Sequence, residues 1–221
     1  MNPFVKNGHY DLWNALGRPQ QALFDKTFRE LVSLYGEGDG KNGRYYHTLE
    51  HIEACLAELN QVRRFAEDPK ALEVAIWFHD AIYDTHRSDN EEQSAEYASR
   101  VLTLMSQRHD FIARVHALIM ATKHNRPLTG PDEQLIADID LSGFGQDFQT
   151  VETNSRNIRK EYKWVPTDEF NRKRLEILRM FLNRQYLYFT PRFRSKYEAS
   201  AKENLAREIA YYSDLVAIAQ V

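Results

Sequence analysis

Apolar residues recur at three-and-four spacing along almost the whole chain, the period of a helix with one buried face. In residues 19–35 this spacing puts Leu23, Phe24, Phe28, Leu31 and Leu34 on one stripe. The segment 36–43 holds four glycines in eight residues and cannot continue a helix. A second helix is expected from about Tyr46 to Phe65. Pro69 then stands near a first helical position, and a third helix runs through the apolar stretch ending His79-Asp80-Ala81-Ile82-Tyr83. That stretch has few polar interruptions, so it is expected to be buried on most sides.

A polar loop from Asp84 to Asn90 leads into a helix starting near Asp89 or Asn90. Further helices are expected at roughly 109–124, 131–142, 146–163, 167–186 and 192–219, with Thr167 and Thr190-Pro191 as start signals. No alternating strand pattern, internal repeat or linker interrupts the series. The expectation is an all-α protein, a single-domain helical bundle over residues 1–221 with about eight or nine helices.

Composition narrows the class. Of 221 residues, 43% are hydrophobic and 28% charged, enough for a real core without a membrane-length apolar stretch. The single cysteine, Cys55, excludes a disulfide framework and a multi-cysteine zinc site. The opening residues lack a basic-then-apolar signal pattern, and a cytoplasmic location is the simplest expectation. Net charge is −3 but unevenly placed: residues 1–155 carry −9 and residues 156–221 carry +6. An acidic part that could hold metal beside a basic part that could hold phosphate is one reading, and solvated helix faces are the other.

Eight histidines focus the search. His47 and His51 stand four apart and would share a helix face. His79 and Asp80 adjoin in an apolar run, where a carboxylate needs a cation, a metal or several donors. Asp138 and Asp140 end another apolar segment. Imidazoles and carboxylates converging from three helices would form a mixed nitrogen and oxygen site for Zn²⁺, Mn²⁺, Fe²⁺ or Mg²⁺.

The segments RYYHTLEHI, WFHDAIYD, DNEEQSAE, ATKHN, DIDLSGFG and NRKRLEILRMFLNRQYLYFTPRF resemble the HD superfamily, in particular its small bacterial phosphohydrolases. Those proteins are metal-dependent and are named for a His…His-Asp…Asp signature. The likeness covers about residues 19–210 and implies a bundle of the HD-domain type. It further implies His51, His79, Asp80 and Asp140 as ligands of a divalent metal, Asp140 being preferred to Asp138 because Leu-Ser follows it. His47 matches a histidine that related cyclic-nucleotide phosphodiesterases use as proton donor. His124 resembles one used for a second metal or for substrate phosphate, and His116 is read as structural.

The expected activity is hydrolysis of a small phosphate ester, with nucleotides in the class, by a metal-activated water. Asp84 would lie one turn beyond Asp80 if the helix continued, and could orient that water. His47 or His124 could protonate the leaving oxygen. Glu91 and Glu92 are open between support of the site and helix N-terminal charge. Lys123, Arg159, Arg174 and Arg184 could meet phosphate. Tyr186, Tyr188, Phe189 and Phe193 could stack a base or pack the last helices.

Membrane association is excluded and nucleic acid disfavoured as a partner, while the long final helix could pair with a second copy. Two other readings are weighed. His47-Thr48-Leu49-Glu50-His51 fits the H-x-x-E-H pattern of inverted zinc proteases, with Glu50 as base. The basic C-terminal third suits a non-catalytic helical module binding nucleotides or nucleic acid.

Overall fold

The computed structural model describes residues 3–36 and 43–219, with only the backbone described for residues 3–6. The glycine-rich break expected at 36–43 lies mostly outside those residues. Ten α-helices and no strand are found among the described residues, as the apolar periodicity requires. No helix among them is long and apolar enough to cross a membrane. The chain divides into two compact units, residues 1–139 and 140–221.

The first unit contains α1 (Pro3–Ala15), α2 (Gln21–Tyr35), α3 (Leu49–Val62), α4 (Pro69–Phe78), α5 (Asn90–Leu104), α6 (His109–Ala121) and α7 (Pro131–Asp140). Asp140 is the last residue of α7, so the division falls at that helix's end. At the centre stands α4, which packs against α1, α3, α5 and α6. Every residue from Ala71 to Phe78 is buried, including Glu73, which Arg63 pairs at 2.5 Å. Asp68 caps the helix by accepting from the Ala71 N–H at 3.0 Å. The aromatic stripe of α2 packs on it, with Phe28 against Trp77 at 5.3 Å between ring centroids.

The start of α7 is tied to the start of α4. Buried Asp132 accepts from the backbone N–H groups of Glu67 at 2.9 Å and Asp68 at 2.8 Å. These charge-assisted bonds fix where α7 begins, and the helix then carries its last turn about 1.5 Å per residue further on.

In the second unit a 3-10 turn (Leu141–Gly145) is followed by α8 (Phe148–Glu161), α9 (Thr167–Leu182) and α10 (Pro191–Ile218). α10 packs against the turn, α8 and α9. Its Asn204 donates to the carbonyls of Phe144 and Gln146 at 2.9 and 2.8 Å, and Ser200 donates to that of Gly145 at 2.8 Å. Tyr188, Phe193 and Tyr197 form a buried ring cluster, so Tyr188 and Phe193 pack the core and do not face a ligand. Glu208 is buried between helices, accepting from the Ser155 hydroxyl, and burial pushes its carboxyl above the usual range.

Several helix ends differ from the periodic reading, because turns and caps stop helices before the apolar pattern does. α3 begins at Leu49 rather than Tyr46, and Arg63–Phe65 is a 3-10 turn. α4 stops at Phe78, α6 at Ala121 and α9 at Leu182. The additional helix α1 lies in a segment that shows only weak periodicity.

Two predictions follow from this packing. A Cβ on Gly145 would lie 2.5–2.6 Å from Cδ1, Cβ and Cγ of Tyr197. Gly145→Ala should therefore lower stability by about 1–3 kcal/mol, read as a shift in urea midpoint. Glu208 binds its proton more tightly folded than unfolded, so its contribution falls as pH rises through its unfolded and then its folded pKa. Glu208→Gln should remove that loss, and its midpoint relative to wild type should rise as pH increases above about 4.

Candidate metal centre

The site is built around the C-terminal end of α4. The helix does not continue through His79-Asp80; both residues lie in the turn beyond Phe78. This corrects the expected placement of the pair within the helix, and it has a local cause. The His79 ring turns back and its Nδ1 meets the Ile76 carbonyl at 2.9 Å. Tyr35 donates its hydroxyl to the Trp77 carbonyl at 3.0 Å, and the Ala81 N–H closes a tight turn on Phe78 at 3.0 Å. Arg44 donates to the Asp80 and Ala81 carbonyls at 2.7 and 2.9 Å. Carbonyls that would otherwise propagate the helix are thus met by side chains and a turn.

The Ile76 carbonyl can only accept, so Nδ1 of His79 carries the proton and Nε2 presents its lone pair. That Nε2 lies 3.2 Å from Nε2 of His51, on the first turn of α3. Asp80 Oδ2 lies 3.1 Å from His79 Nε2 and 3.7 Å from His51 Nε2. Ligand atoms of His51, His79 and Asp140 all lie within 4.8 Å of one another. The carboxylate in this group belongs to Asp140, the last residue of α7, and not to fully buried Asp138.

The donor set fits a divalent cation. Ligands about 2.0–2.2 Å from one ion stand roughly 3–4 Å apart, the spacing of the His51, His79 and Asp80 atoms. His51 and His79 are buried and Asp80 is mostly so. Burial raises the Asp80 carboxyl, but His79, His47 and His51 outweigh it and hold the group well below the usual carboxylate range. Asp80 is therefore the anion in a pocket of imidazoles, ready to ligate without first losing a proton. The group could hold a metal ion through two imidazoles and the Asp140 carboxylate, with Asp80 against both rings.

His47 sits two residues before α3 and does not share a helix face with His51, contrary to the expectation from their spacing. It nevertheless lies beside the cluster. Its ring stacks on Tyr83 at 4.1 Å between centroids and stands 6.1 Å from the His51 ring. The helix required by the H-x-x-E-H reading is therefore not formed through His47, and Glu50 is exposed.

Asp84 does not occupy the position one turn beyond Asp80, because no helix continues there. It lies on an exposed turn, where it accepts from the His86 N–H and faces Nδ1 of the same residue, both at 2.9 Å. Those two bonds hold its carboxyl below the usual range. His124 follows α6 in a left-handed backbone conformation with φ 55°. His116 lies within α6, half-buried.

The cations proposed for phosphate are engaged within the protein. Lys123 bridges to the start of α5, reaching Glu92 at 2.5 Å, the Ser88 carbonyl at 2.9 Å and Glu91 at 3.7 Å. Glu91 is raised by burial and by the negative charge of Asp80. In the second unit, Arg159 donates to the Tyr162 and Val165 carbonyls at 2.6 and 3.1 Å and lies over the Phe170 ring. Arg174 donates to Ser155 at 3.2 Å, and the Arg184 guanidinium lies 4.7 Å from the Phe181 ring centroid.

Sequence reasoning passed over three neighbours of the cluster. Cys55, one turn after His51, places its sulfur 3.7 Å from His51 Nε2, and the i, i+4 spacing was the available signal. Tyr83 covers His47, and Arg44 reaches back to the His79-Asp80 turn from before α3; neither contact has a local signature. Comparison with protein-family models, curated proteins and solved structures finds no match for this chain.

Proposed function

We propose that this protein is a metal-dependent phosphohydrolase acting on a small phosphate ester, nucleotides being within the class. The observation that carries the reading is the convergence of His51 on α3, His79 and Asp80 in the turn after α4, and Asp140 at the end of α7. The resemblance of the surrounding segments to the HD superfamily supports the same assignment. The mixed nitrogen and oxygen set suits Zn²⁺, Mn²⁺ or Fe²⁺, and Mg²⁺ more weakly, since imidazole favours the transition metals. When bound, such an ion supplies a hydroxide near neutral pH and neutralises phosphate charge.

The chain's own residues complete the chemistry. His79 is locked by the Ile76 carbonyl, so its Nε2 would offer an ion a lone pair without a search for the tautomer. Asp80 stays anionic across the physiological range and offsets the cation's charge. His47, half-exposed and stacked on Tyr83, would hand a proton to the leaving oxygen. Asp84 fits the orienting of a water, and Lys123 the binding of phosphate, less well than the sequence suggests, because each is bonded to another side chain.

The test is a hydrolysis screen over phosphomonoesters, cyclic nucleotides and nucleoside triphosphates, with Mn²⁺, Zn²⁺, Fe²⁺ and Mg²⁺ added in turn. Asp80→Ala and His79→Ala should lose activity by about a hundredfold or more and bind metal weakly. His47→Ala should retain metal but lower turnover by about 10²–10⁴-fold. Glu50→Gln should leave turnover unchanged, whereas the protease reading requires its loss. Saturating Mn²⁺ or Zn²⁺, at about a hundred times Kd, should stabilise the wild type by about 2.7 kcal/mol, seen as a rise in Tm. Full activity in Asp80→Ala would sink the mechanism, and metal uptake without turnover of any ester would leave a binding module in its place.

A further inference from the structure

Arg44 is buried, with 4% of its surface exposed, yet it comes from the segment preceding α3 rather than from a helix core. A guanidinium so placed must match its donors to acceptors or suffer a large desolvation loss. Its donors go to three backbone carbonyls: His47 at 3.2 Å, Asp80 at 2.7 Å and Ala81 at 2.9 Å. Its flat faces are covered by two rings, Tyr35 at 5.2 Å and Tyr83 at 5.4 Å from centroid to guanidinium carbon.

Each of these partners leads to the cluster. Tyr35 also holds the Trp77 carbonyl, and Tyr83 also stacks on His47. One side chain therefore joins the His47 segment to the His79-Asp80-Ala81 turn, fixing two stretches that are 36 residues apart. Neither stretch has regular secondary structure to hold it, because α3 starts after His47 and α4 ends before His79. Rigid placement of the Asp80 backbone is what keeps its carboxylate within 3.1 Å of the His79 ring nitrogen.

We infer that Arg44 is a positioning residue for the metal centre: its fork holds the His79-Asp80 turn in the geometry that binds the ion. The inference rests on the metal reading above. Lysine cannot reproduce it, because an ammonium lacks the planar fork that serves adjacent carbonyls and the flat face that lies between two tyrosines.

Co²⁺ binding to the full chain tests this, followed by the visible d–d absorption and by titration calorimetry. Arg44→Met should weaken Co²⁺ binding by about 10–100-fold and alter the band positions. Arg44→Lys should recover part of the affinity, remaining about tenfold weaker than wild type with a perturbed spectrum. Arg63→Met, which leaves buried Glu73 without its Arg63 partner elsewhere in the same unit, serves as the stability control. It should lower Tm while leaving Co²⁺ affinity and spectrum unchanged.

A purely structural role for Arg44 predicts that its variants behave like Arg63→Met, and that result overturns the inference. If Arg44→Met loses its helical circular dichroism, Arg44→Lys decides alone. Wild-type protein that takes up no Co²⁺ overturns both this inference and the metal reading. Uptake by wild type with unchanged affinity and spectrum in the Arg44 variants overturns this inference only.

Discussion

A helix that ends inside a protein leaves carbonyl oxygens with no water to receive, and α4 is such a helix. Its residues from Ala71 to Phe78 are buried, so its C-terminal oxygens need partners supplied by tertiary structure. The His79 ring meets Ile76, Tyr35 meets Trp77, the Ala81 N–H meets Phe78, and Arg44 meets Asp80 and Ala81. The candidate site is largely a by-product of that requirement. Satisfying the Ile76 carbonyl turns the His79 ring into one tautomer, and satisfying the Asp80 carbonyl anchors the residue whose carboxylate faces both imidazoles.

The same constraint shapes the electrostatics. Two imidazole Nε2 atoms 3.2 Å apart are comfortable only if one carries a proton or a cation lies between their lone pairs. His79 has its proton on the other nitrogen, so without an ion His51 must supply the bridging hydrogen. Asp80 then stands 3.1 Å from a ring nitrogen of His79 that offers it a lone pair rather than a proton. A divalent ion would resolve both demands together, since it could accept both lone pairs and pair with the carboxylates of Asp80 and Asp140. The Cys55 sulfur packed on the His51 ring adds a polarisable wall of low polarity, which strengthens charge interactions within the pocket.

The helical class and most helix centres were legible in the sequence, because the apolar spacing that predicts a buried face is the spacing that packs it. The all-round apolar run of α4 correctly signalled its central position. Helix ends were less legible: the run Ala71–Tyr83 reads as one helix, and only long-range bonds from Arg44 and Tyr35 explain the stop at Phe78. For the same reason His47 and His51 read as one face at i, i+4 spacing, although Thr48 is extended and α3 starts after it. The histidines and carboxylates of the cluster stood out as costly residues in apolar surroundings. Arg44 did not, because a cation beside two tyrosines in a glycine-flanked loop looks like surface until the carbonyls it meets are known.

Charge counted along the sequence does not by itself locate a phosphate site. The +6 of residues 156–221 suggests a basic surface, yet Arg159 serves the carbonyls that close α8 and Arg174 serves Ser155. These cations complete the ends and interfaces of helices, where carbonyl oxygens would otherwise lack partners. Arg44 follows the same rule in the first unit, with the difference that the carbonyls it meets belong to residues of the candidate centre. What distinguishes a functional cation from a structural one here is therefore the identity of the backbone it holds. An arginine that orders a helix end orders only the fold, and one that orders the His79-Asp80 turn orders residues that could hold a metal ion as well.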